Sequence, residues 1–135
     1  MVKLIVGKKG TGKTKTLIDM VNSAVETSGG AVICIEKGDK LRYDIKYQAR
    51  LVDTSEYGIS GADSLYAFVC GIYASNHDIT HIFIDSAVKM CDNTVEGLSS
   101  FLRRAAVLAD RVNIDLVLTS SVTEDELPED MKAYL

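Results

Sequence analysis

Gly7-Lys8-Lys9-Gly10-Thr11-Gly12-Lys13-Thr14 follows the spacing G-x-x-x-x-G-K-[ST], between a short β-branched run and a helix-length segment. Those residue types in that order suit the holding of phosphate. The glycines let the backbone turn tightly and bring N–H groups up to anionic oxygens with no Cβ in the way. The N-terminus of the following helix adds unpaired donors and the positive end of a dipole. Lys13 is placed to reach the β and γ phosphates of a nucleotide, and the Thr14 hydroxyl to ligate Mg²⁺. Five of the ten lysines, Lys3, Lys8, Lys9, Lys13 and Lys15, fall in this first stretch, a local positive patch that polyphosphate explains.

The rest of the chain must position that loop. Val2–Val6, Ala31–Ile35, Arg50–Val52, His81–Ile84 and Ile114–Leu118 are short apolar runs, as expected of parallel strands buried on both faces. Between them, Leu17, Met20, Val21, Ala24 and Val25 share one helical face, with Gly29-Gly30 as the expected stop. Leu65, Tyr66, Val69, Ile72 and Tyr73 form a second stripe behind Ser60 and Asp63, which stand at capping-box spacing. Leu98, Phe101, Leu102, Ala105, Ala109 and Val112 form a third, and a last helix is expected over Glu124–Tyr134. Leu41, Tyr43, Ile45 and Tyr47 alternate with polar residues and predict a half-exposed strand. Strands alternating with helices predict an α/β fold, a three-layer α/β/α sandwich with a mostly parallel sheet of about five strands and ligands at the strands' carboxyl ends.

The chain has 135 residues, a length at which one domain buries roughly two-thirds of its unfolded surface. Hydrophobic residues at 47% and charged residues at 25% match a globular chain with a packed core. The single proline is Pro128 and no linker-like stretch divides the sequence, so residues 1–135 are expected to form one nucleotide-binding domain. Lys plus Arg number 15 against 19 Asp plus Glu, a net charge of −4, so nucleic acid is an unexpected partner. No apolar run nears the roughly 20 residues of a membrane span. Cys34, Cys70 and Cys91 are odd in number and widely spaced, and His77 and His81 have no ligand at metal spacing. A reduced, cytoplasmic protein without a zinc site is the expectation.

Gly7–Thr14 as Walker A, with His81-Ile82-Phe83-Ile84-Asp85 as Walker B, resembles the P-loop NTPases from Val2 to about Ser121. The resemblance implies that Asp85 holds Mg²⁺ together with Thr14. Ser86 follows Asp85 where many members of the additional-strand class carry a catalytic Glu, so the chain is more similar to the recombinase and circadian-clock ATPase branch. There the catalytic Glu ends the strand after the first helix, which here is Glu36. Lys13 and Glu36 are then the catalytic candidates. Leu116–Ser121 resembles the strand whose polar end senses the γ-phosphate, and Thr119 or Ser120 is the candidate. Arg103, Arg104 and Arg111 are candidates for a finger supplied to a neighbouring copy. A solvated helix face is their commoner use.

No Asn-Lys-x-Asp run is present, which favours adenine over guanine, with Tyr43, Tyr47 or Tyr134 as candidates to stack on it. The leading expectation is a Mg²⁺-dependent, ATP-binding protein that slowly cleaves the β–γ phosphoanhydride. A non-hydrolysing ATP-dependent switch, presenting Leu41–Tyr47 or the third helix to a protein partner or a second copy, is the alternative. A small-molecule kinase ranks third, because only Arg42 and Arg50 precede the second motif and a phosphoryl-transfer lid needs arginines.

Overall fold

The computed structural model describes residues 1–135 and runs β1 (Val2–Val6), α1 (Lys13–Thr27), β2 (Ala31–Glu36), β3 (Arg50–Asp53), α2 (Ala62–Ser75), β4 (Ile79–Ile84), α3 (Val95–Val112), β5 (Asp115–Ser120) and α4 (Glu129–Lys132). All five strands are parallel, in the order β1-β5-β4-β2-β3. No helix is long and apolar enough to cross a membrane.

Side chains alternate along each strand and so divide between two cores. Ile33, Ile35, Ile82, Ile84, Leu116 and Leu118 pack with Leu65 and Val69 of α2 and Leu98, Phe101 and Leu102 of α3. Their neighbours Val32, Cys34, Phe83 and Val117 pack with Leu17, Val21 and Ala24 of α1 on the opposite face. The arrangement is a sheet with helices on both sides. Central strands are buried on both faces as expected, but in β1, at the sheet's edge, only Leu4 is fully buried. The outer edge of β1 is met instead by the end of the chain, where the Leu4 N–H donates to the Tyr134 carbonyl at 2.7 Å, while on the β5 side the Gly7 N–H donates to the Val122 carbonyl at 2.9 Å just beyond that strand.

Four local expectations are corrected. The 41–47 segment is not a strand: the N–H groups of Asp44 and Ile45 both donate to the Leu41 carbonyl, so the chain coils. Leu41 and Ile45 turn inward beside α1, whereas Tyr43 and Tyr47 are 85% and 92% exposed. Asn22 of α1 clamps the coil, its amide donating to the Asp44 carbonyl and accepting from the Lys46 N–H, both at 2.9 Å. Secondly, α1 ends at an extended Ser28, and neither Gly29 nor Gly30 adopts a left-handed turn. Gly30 is needed for room: a Cβ there would lie 2.0 Å from the Asp78 carbonyl oxygen. Thirdly, α2 starts from Gly61, while Ser60 donates its N–H to Ser64 and Asp63 pairs with Arg104, so no capping box forms there. Lastly, the expected Glu124–Tyr134 helix is split into a 3₁₀ turn over Glu124–Glu126 and the short α4, because Pro128 has no N–H and holds Leu127 extended.

Candidate functional site

The alternation that builds the two cores also builds the site. Glu36, Asp85 and Thr119 have the parity of Cys34, Phe83 and Val117, and therefore emerge on the α1 face at the carboxyl ends of β2, β4 and β5. The Gly7–Thr14 loop enters from β1 at the same end. Gly10 and Gly12 both stand at φ 84°, a left-handed conformation that glycine adopts without strain. Gly12 starts α1 with no side-chain cap, and no acidic residue occupies the first turn, so the helix's first N–H groups stay free for an anion.

From 71 positions away, Asp85 meets the loop. The Thr14 hydroxyl donates to its carboxylate at 3.2 Å, and the Thr119 hydroxyl donates to the same Oδ1 at 2.7 Å. Thr119 also accepts the Ser86 N–H at 2.8 Å, fixing Ser86 in a left-handed turn at φ 56°. Such strain, held by surrounding bonds, is common where a chain is aimed at a ligand. Lys13 folds back over the loop, its ammonium donating to the Lys8 carbonyl at 2.8 Å and reaching Thr11 Oγ1 at 3.4 Å.

A cleft of about 330 Å³ lies over these groups, lined by Lys9, Gly10, Gly12, Lys13, Thr14 and Lys15 on one wall and Lys40, Leu41, Asp85, Ser86, Lys89 and Ser121 on the other. Five lysines face one carboxylate there. Only Lys15 has an acidic partner, Asp19 at 3.4 Å. Larger depressions of about 430 and 470 Å³ exist elsewhere, but their linings hold mainly apolar and neutral residues and at most one Lys or Arg.

Several sequence candidates stand outside the cleft. Ser120 has the opposite parity to Thr119; it is fully buried and accepts the Val88 N–H at 3.2 Å, so Thr119 is the one of the pair beside Asp85. Tyr43, Tyr47 and Tyr134 do not line the cleft. Arg103 and Arg104 are already paired, with Asp130 at 2.7 Å and Asp63 at 2.9 Å. Beside Leu41, Ser86 and Ser121, sequence reasoning missed two charged lining residues, Lys40 and Lys89. A signal was available: each lies four positions after a carboxylate at a strand end, in Glu36-Lys-Gly-Asp-Lys40 and Asp85-Ser-Ala-Val-Lys89.

Glu36 is 2% exposed and lies behind the cleft wall. One carboxylate oxygen accepts the Leu41 N–H at 3.0 Å and the other has no partner. Burial raises its pKa above the ordinary 4.5, opposed by the Leu41 and Lys40 backbone donors and reinforced by the nearby Asp85 charge. The same surroundings push the Cys34 thiol up to about 12, burial first and then the Glu36 and Asp85 charges, so that thiol is inert.

A stability prediction follows from Glu36. An unfolded chain releases this proton near 4.5, before the native one does, so native stability falls as pH rises between the two values. Below that interval both states are protonated and the penalty is absent. Glu36→Gln is therefore expected to raise stability more at pH 7.5 than at pH 4, read from urea unfolding at both pH values. An equal shift at both would show that ionisation of Glu36 is not the cause.

No model of a known protein family matches the chain, and no curated protein is significantly similar to it.

Proposed function

We propose that this chain is a P-loop nucleotide-binding protein of the additional-strand class that takes Mg²⁺-ATP in the lysine-lined cleft and slowly cleaves its β–γ phosphoanhydride. The observation that carries the reading is the meeting of the Thr14 hydroxyl and the Asp85 carboxylate at 3.2 Å beside a glycine loop. The strand order supports the class, because β5 lies between β1 and β4, the two strands that bear the loop and the carboxylate.

Thr14 and Asp85 offer hard oxygen donors, and two protein ligands suit Mg²⁺, which keeps waters and substrate oxygens for its remaining positions. Bound there, the ion supplies charge neutralisation to the β and γ phosphate oxygens. The protein's own groups do the rest. Loop N–H groups and the first turn of α1 hold the phosphates, and Lys13 turns from the Lys8 carbonyl to the β and γ oxygens. Thr119 fixes the Asp85 carboxylate by donating to it. Glu36 takes a proton from water as the water oxygen bonds to the γ-phosphorus; the bond to the bridging oxygen breaks and ADP leaves. A proton affinity raised by burial suits a base working near neutral pH.

One observation favours a second reading, an ATP-dependent switch without turnover: Glu36 is held by the Leu41 N–H behind the wall rather than in the cleft. Single-turnover cleavage of Mg²⁺-ATP by excess protein separates the two. If Glu36→Gln binds ATP normally but cleaves it about 10²–10⁴-fold more slowly than the unchanged chain, Glu36 is the base of an ATPase. Tight binding with no cleavage by the unchanged chain selects the switch. Failure to bind ATP removes both.

A further inference from the structure

The far wall of the cleft carries two cations that the loop chemistry does not use. Lys40 and Lys89 face the glycine loop from the ends of β2 and β4, adjacent strands in which Ile35 lies opposite Ile84. Neither makes an ion pair with a carboxylate. Both side chains are exposed, yet the backbone beneath each is fixed. Lys89 is the only exposed residue of the 3₁₀ turn Ala87–Met90, in which Ala87, Val88 and Met90 are buried. That turn is pinned through the Ser86 N–H on Thr119 and the Val88 N–H on Ser120. Lys40 precedes Leu41, which is 3% exposed and bonded through its N–H to Glu36.

Like charges gathered in a small cleft favour an anion among them, and a chain with net charge −4 has no general surplus of lysine to scatter there. We infer that Lys40 and Lys89 grip the terminal phosphate of a nucleoside triphosphate from the side opposite the glycine loop, so that one copy of the chain forms a complete site and needs no cation from a neighbour. This rests on the nucleotide reading above and deepens it. The loop serves the phosphates that ADP and ATP share and Lys13 spans the β and γ, whereas the opposing pair serves only the one that ATP alone has.

The test is equilibrium titration with Mg²⁺-ATP, Mg²⁺-ADP and inorganic tripolyphosphate of the unchanged chain, Lys40→Gln, Lys89→Gln and the double variant, with Lys132→Ala as a surface control and thermal melting as the folding check. Each single change is expected to weaken ATP about tenfold and the double about 100-fold, with ADP weakened less than about threefold and tripolyphosphate following ATP. The single-turnover rate per bound ATP should stay constant as protein concentration is raised. Equal weakening of ATP and ADP, or of neither, overturns the inference while leaving nucleotide binding standing. So does a rate that climbs with protein concentration, which would assign the missing cation to a second copy. If the unchanged chain binds neither nucleotide nor tripolyphosphate, the inference and the nucleotide reading fall together.

Discussion

Lys13→Ala is expected to raise the Kd for Mg²⁺-ATP at least about 100-fold while leaving the unfolding midpoint essentially where it was. The two halves of that result have separate causes. The Lys13 ammonium touches only the Lys8 carbonyl and Thr11 Oγ1, both at exposed loop positions, so no buried group loses a partner when it is removed. A bound triphosphate would lose charge-assisted bonds to its β and γ oxygens, each worth about 1.5–3 kcal/mol where a charge is involved. Calorimetric titration beside a circular-dichroism melt reads both. Undiminished affinity in a folded Lys13→Ala chain would end the reading of Gly7–Thr14 as a phosphate cradle.

Gly97→Ala is expected to lose much of the chain's stability. Gly97 sits in the first turn of α3, where its N–H is the donor to the capping Thr94 hydroxyl at 3.0 Å. A Cβ added there would lie 2.1 Å from the Cys91 carbonyl oxygen and 2.9 Å from its carbon, so the backbone itself must move. Either α3 shifts against its core of Leu98, Phe101 and Leu102, all fully buried, or the Ala87–Met90 turn is displaced together with Lys89. The expected cost is about 3 kcal/mol, a fall of roughly 10 °C in Tm for a chain of this size. Gly71→Ala in α2 supplies the contrast. Nothing lies within 4 Å of a Cβ there, so helix propensity alone acts and a gain of about 0.5–1 kcal/mol is expected. Similar melting curves for the two variants would refute the close-approach argument.

What could be read from the sequence followed from local rules. Strand-length apolar runs and helical stripes are written in neighbouring residues, and β1 begins and ends where its run does, at Val2 and Val6. The glycine turn between β1 and α1 was equally legible, and Gly10 and Gly12 stand there in the left-handed conformation. What escaped depends on partners remote in the chain. Thr119 and Ser120 look alike as polar ends of a strand; only the pairing of β5 between β1 and β4 decides that Thr119 faces Asp85 and Ser120 the other core. Lys40 and Lys89 sit on connections whose meeting requires β2 and β4 to be neighbours. The 41–47 segment misled because two interleaved period-four patterns, Leu41 with Ile45 and Tyr43 with Tyr47, sum to the period of two that marks a strand.

The position of β1 also governs how the molecule is made. Its only partner in the sheet is β5, with Val2 opposite Leu116 and Val6 opposite Ser120, and the Gly7 N–H is taken by Val122. During synthesis β1 therefore leaves the ribosome early and has no sheet partner until β5 has emerged. A nascent chain stalled before β5 has α1 to pack on β2 and β4, yet no neighbour for β1. Closure of the central sheet, and with it completion of the cleft that Ser121 helps to line, is thus a late event in the making of each new chain.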